Sequence, residues 1–221
     1  MKINSISVFL KDWKSEQRTR YAINSLGMFI LVTVSVILFA IGQETITPYL
    51  TVGLFWVTIF FSTMSGLSRG FVSEEEKGTS IFLKLIAKPA AIYNGKLIYN
   101  LFLIFLIQLF VVVLFEAFFE NFLIRSFLLF FVVTFLGNIG IAVSSTTIAS
   151  IIAKANSKGN LYAVLSFPIL LPLILILLEL TKKSVDGAMF SEALIELGML
   201  ISYNVIMYTV GVLLFDFIWK D

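Results

Sequence analysis

The residues whose types and spacing could do chemistry lie in one short stretch, 69–89. There Ser73-Glu74-Glu75-Glu76-Lys77-Gly78-Thr79 is followed by an apolar turn and Pro89. Ser73 with Glu76 three residues later is a capping-box spacing, which satisfies two otherwise unpaired amides at a helix start. Three carboxylates in that first turn face the positive end of the helix dipole. Gly78 interrupts the helix. Thr79 then caps a second short helix carrying Ile81, Phe82, Leu85 and Ile86, which must end before Pro89 because the residue preceding proline is driven out of the α region. The chemistry this implies is recognition rather than bond making. A stiff, charged hairpin with a local negative field suits a basic or dipole-positive cleft and can take force from a soluble partner. The same charges also suit a solvated loop that only fixes topology, and both readings fit the composition.

Catalysis has little to stand on. Histidine and cysteine are absent, which removes His/Cys metal sites, thiol chemistry, disulfides and histidine ligation of haem. No catalytic and no metal-ligating residues are assigned. A phosphate-cradling loop needs Gly-x-x-x-x-Gly-Lys-Ser/Thr. Gly95-Lys96 is the nearest approach, and it lacks both the glycine five positions earlier and the hydroxyl that follows, so any ATP is bound by another subunit. Ion-coupled transport generally uses ionisable groups at mid-membrane depth. Glu116 and Asp216 instead fall at the ends of apolar runs, where solvation of a helix end accounts for them.

The elements that position the hairpin follow from hydropathy. Of the 221 residues 59% are hydrophobic, against roughly 45–50% apolar in soluble domains. Six charge-free runs, 21–43, 45–68, 97–115, 126–153, 159–178 and 197–215, each approach or exceed the roughly 20 residues that cross a bilayer. The expected fold is all-α and polytopic: one transmembrane permease domain, 1–221, with six spans. Its connections are too short for a soluble domain. They include a basic segment 1–20, a coupling loop 69–96 and an extracytoplasmic loop 179–196. Thirteen Lys and Arg lie in the two termini and the second and fourth connections, against three in the others. This places both termini and the 69–96 loop in the cytoplasm. Ile6, Phe9, Leu10 and Trp13 repeat at helical spacing before the first span, which predicts a helix lying in the interface. A basic topogenic tail is the alternative.

Within the spans, Gly137, Asn138 and Gly140 make the fourth weakly apolar. They suit close helix packing or a polar groove along a substrate path. Pro168 and Pro172, four apart and on one face of the fifth span, suit a static kink or a gating bend. Gln108 and Asn204 read as interhelical hydrogen-bond formers. The last connection is long enough for a short helix around 191–197, with a plain loop as the simpler expectation.

The order of basic helix, two spans, Glu-Glu-Glu-Lys-Gly-Thr loop, Pro, and a lysine-led third span (Gly95-Lys96-Leu97-Ile98-Tyr99-Asn100) resembles the membrane subunits of type-2 ABC exporters. Together with Phe167-Pro168-Ile169-Leu170-Leu171-Pro172 and the ending Leu213-Leu214-Phe215-Asp216-Phe217, it most resembles the haem exporter B (CcmB) family. The likeness covers nearly the whole chain. This chain departs from the family pattern in having Ser80-Ile81 after Thr79 and in reaching Pro89 late. The resemblance implies a noncatalytic subunit of the bacterial inner membrane, dimeric or paired, working with a separate ATP-binding subunit and other haem-handling membrane subunits. No cofactor is expected on this chain alone, since histidine and cysteine are missing and most methionines sit in apolar runs. Haem is then the cargo of the complex, or the complex releases a haem-loaded chaperone. The alternatives are a type-2 permease for another amphiphile, such as a drug or a lipid-linked glycan, and a noncatalytic membrane assembly scaffold.

Overall fold

The computed structural model describes residues 4–67, 71, 74–75, 78–154 and 158–220. These form helices α1 (Ser5–Thr19), α2 (Tyr21–Ile41), α3 (Pro48–Leu67), α4 (Ser80–Ile86), α5 (Pro89–Phe118), α6 (Phe127–Ala153), α7 (Lys158–Asp186) and α8 (Leu194–Lys220), with a single 3-10 turn, Phe190–Ala193, before α8. No strand occurs among the described residues. Six of the helices are long and apolar enough to cross a membrane, as the six charge-free runs require.

The helices overrun those runs where charges find partners or solvent. Pro89 starts α5, its fixed φ suiting the first helical position, so Lys96 sits in the second turn of a span rather than in a loop. The expected loop 179–196 is shorter than its charges suggest: residues 179–186 complete α7 and 194–196 begin α8. Lys183 makes this possible, its Nζ reaching the Glu192 carbonyl at 2.8 Å and Glu196 Oε1 at 2.7 Å. Both helix ends are thus tied across the turn.

Helix α6 is the axis of the bundle, packed by α3, α5, α7 and α8. Phe55, Phe115, Phe122 and Phe130 pack ring to ring near one end, with centroids 5.0–6.1 Å apart. At the other end Phe71, Tyr93, Phe215 and Trp219 form a second cluster, centroids 4.9–6.0 Å apart. This second cluster gathers the start of α5, the end of α8 and the turn at Phe71.

Helix α1 packs along the first turns of α5. Phe9 and Trp13 meet Phe102, with centroids 6.4 and 4.9 Å apart. Gly95 permits the approach: a Cβ there would stand 2.7 Å from the Ser5 carbonyl and 2.6 Å from Val8 Cβ. Half of the apolar stripe expected to face lipid is therefore spent on α5, while Ile6 and Leu10 stay exposed. The chain turns from α1 into α2 at Arg20, whose φ of 50° is left-handed, a conformation costing an L-residue roughly 1–2 kcal/mol. Glu16 offsets it. Its buried carboxylate accepts the Ile23 amide at 3.0 Å, capping α2 from the preceding helix.

Candidate functional site

The described part of the 69–96 region is built around two carboxylates that point inward. Glu74 pairs with Lys11 of α1 and, at 2.9 Å, with Lys96 of α5. Asp12 of α1 lies 3.0 Å from Lys96 and 3.2 Å from Lys11. Lys96 is buried, its side chain 4% exposed, and its ammonium also stands 5.5 Å from the Phe71 ring. Three segments distant in sequence therefore share one hub of two cations and two anions. Charges of this kind leave water at a cost of several kcal/mol each and are retained only when each has its counter-ion. The half-exposed Lys11 ammonium loses hydration, but Asp12 and Glu74 outweigh that loss and hold its pKa above the ordinary lysine value.

Glu75 is turned the other way along the turn. It accepts the Ser80 hydroxyl at 2.7 Å and lies 3.7 Å from Lys154 at the end of α6. The expected outward negative field is accordingly corrected for these two residues: both carboxylates are occupied inside the protein, because the buried Lys96 of α5 and the half-exposed Lys11 of α1 neutralise one, and α4 and the end of α6 hold the other. Ser73, Glu76 and Lys77, and with them the capping box, lie outside the described residues.

Gly78 adopts φ 66°. Its amide bonds to the Glu75 carbonyl at 3.1 Å, and the Thr79 amide bonds to the Glu74 carbonyl at 3.0 Å. These paired bonds are those of a Schellman helix ending, whose left-handed position favours glycine. The Thr79 hydroxyl turns back to the Glu74 carbonyl at 3.3 Å and makes no side-chain cap to α4. Helix α4 then runs to Ile86, short of Pro89 as expected. Leu83 is buried, whereas Ile81, Phe82, Leu85 and Ile86 are 63%, 68%, 78% and 46% exposed. This seven-residue helix, next to the ion hub, thus presents four large apolar side chains on its exposed surface.

The remaining sequence-predicted residues lie elsewhere. Gly137 and Gly140 are sites of close helix approach. A Cβ at Gly137 would stand 2.7 Å from Leu177, and one at Gly140 would stand 2.6 Å from Asn204 Oδ1 and 2.9 Å from Leu173. Asn138 is fully buried, and neither end of its amide has a partner among the described residues; the same holds for Gln108. Asn204 donates to the Leu136 carbonyl at 3.0 Å. Pro168 and Pro172 are exposed on the outer face of α7, which stays helical through both. Sequence reasoning missed Asp12 and Glu16 as the inward partners on α1; two acids four apart in an otherwise basic segment were the available signal. It also missed Asn100, which donates to Thr146 at 2.8 Å, and Trp56, which donates to Thr181 at 2.9 Å.

Six apolar helices, with α6 as their axis and with a charged hub and an apolar outrigger at one end, define a multi-pass helical membrane protein. The family model described as CcmB protein matches residues 3–215, and the chain belongs to the CcmB (haem exporter B) family. It is a membrane permease subunit of the haem-exporting ABC transporter of cytochrome c maturation. No curated protein matches the chain.

Proposed function

We propose that α4 is the docking element for a separate ATP-binding subunit and that the Lys11–Asp12–Glu74–Lys96 hub passes its movement to α1 and α5. The observation that carries this reading is the exposed row Phe82–Leu85–Ile86 on a helix bounded by the hub on one side and Pro89 on the other. Large apolar side chains gain free energy on leaving water, and an exposed row of them on a short hairpin marks a surface that a partner covers. Because α4 leads into α5 through a proline-started junction, a push on it reaches the span without passing through a free loop.

In this reading the α1 and α4 end faces the cytoplasm, supported by the thirteen-to-three basic bias, and the membrane is the bacterial inner membrane. The chain works in a pair, with haem-handling partners supplying the iron ligands that it lacks. Haem is substrate rather than resident cofactor. The test is the double substitution Phe82→Asp, Leu85→Asp in the whole complex. The variant should insert normally yet lose copurification of the ATP-binding subunit and cytochrome c assembly. Full retention of both would refute α4 as the docking element.

A further inference from the structure

Helix α1 has its charges sorted by side. Asp12 and Glu16 face inward, one on Lys96 and the other capping α2. Lys14, Arg18 and Arg20 are exposed, and none has an ion-pair partner among the described residues. Ile6, Leu10, Lys14 and Arg18 stand four apart, which places them along one row of the helix. That row passes from apolar to basic.

Just beyond the corner made by Arg20, an apolar groove of about 590 Å³ lies between α2 and α5 and is open on its outer side. One wall runs from Ile23 and Asn24 to Leu31, the other from Leu103 to Phe110. Eight residues of helix make it about 12 Å long. The ring contacts of α1 on α5 reach Phe102, and the groove's lining on α5 begins at the next residue, Leu103. Its one strongly polar lining residue, Asn24, is at the end next to Arg20.

We infer that the α1–α2 corner and this groove together bind one anionic glycerophospholipid. The phosphate sits on Arg18 and Arg20, whose guanidinium forks match phosphate oxygens, and an acyl chain fills the groove. Uncompensated cations above, a polar mouth and an apolar trough beneath repeat the order of groups in such a lipid. This site does not depend on α4 docking, and its failure would leave that reading untouched.

The test titrates the delipidated, purified full chain with phosphatidylglycerol or with phosphatidylcholine of the same acyl chains, counting bound lipids by native mass spectrometry. The wild type should retain one phosphatidylglycerol at roughly ten-fold lower lipid concentration than phosphatidylcholine. The surface variant Arg18→Gln, Arg20→Gln should erase that difference. Gly27→Trp should remove the tight lipid altogether: Gly27 lines the groove, and apart from its own helix turn nothing lies within 4 Å of a Cβ built there, so a side chain can start into the groove without meeting the core. Unchanged helicity shows that each variant is folded. Equal binding of the two lipids by wild type would overturn the proposal, as would a preference that survives loss of both arginines. So would a Gly27→Trp variant that dissociates a dimer and leaves the lipid count unchanged.

Discussion

Lys96 is the residue on which the charged end depends, because its single ammonium neutralises carboxylates from two other segments. Lys96→Met should lower stability by about 3–5 kcal/mol, the range found when one partner of a buried ion pair is removed. The change would be read as a lower melting temperature of the detergent-solubilised chain. Lys11→Met should cost less than about 1 kcal/mol, since that side chain is 45% exposed and solvent screens it. The Lys11 pKa is raised on folding, so its contribution is complete below the unfolded value near 10.4 and fades only as pH climbs through the folded one. Between pH 7 and 9 this bridge should therefore contribute the same stability, and the wild-type minus Lys11→Met difference in melting temperature should stay flat. Gln108 presents the opposite situation, a buried amide with both ends unpartnered among the described residues. Replacing it with the similarly shaped Met should raise stability by roughly 1–3 kcal/mol, the desolvation cost removed. A fall in melting temperature would show that the amide has a partner in the working protein.

Among the elements, the six spans and α4 were legible because uninterrupted apolar runs and Gly, Thr and Pro positions are local signals. The direction of the carboxylates was not. Glu74 reads as a surface residue until α1 and α5 bring Lys11 and Lys96 beside it, and those contacts span long stretches of sequence that a local pattern does not report. Lys96 deceived for the same reason: a lysine bounds a charge-free run, yet paired it sits inside a helix that starts at Pro89. The turn after α7 was overestimated because Lys183 and Glu196 look like solvated loop charges before they are seen to pair with each other. At Gly140 the legible feature, a small residue, has a measurable role. Gly140→Leu would drive a side chain into Asn204 and Leu173 of two neighbouring helices, and overpacking of this kind costs about 1–3 kcal/mol or more. Its helical content should survive while thermal stability and the yield of folded chain fall.

For the whole molecule, the bundle has two unlike ends. One carries the ion hub, α4 and the Phe71–Trp219 aromatic cluster; the other carries short turns closed by Lys183 and by the Ser126 amide on the Ser184 carbonyl at 3.0 Å. If α4 receives an ATP-binding subunit, contact with that partner must be confined to the first end. Because the chain has no cysteine, a single cysteine at Leu85 or at Met189, 78% and 72% exposed at opposite ends, can be charged with a short photocrosslinker in the assembled complex. Leu85→Cys should yield a covalent adduct with the ATP-binding subunit, and Met189→Cys should yield none. An adduct from Met189→Cys, or none from Leu85→Cys in a complex that still assembles and hydrolyses ATP, would contradict docking at α4.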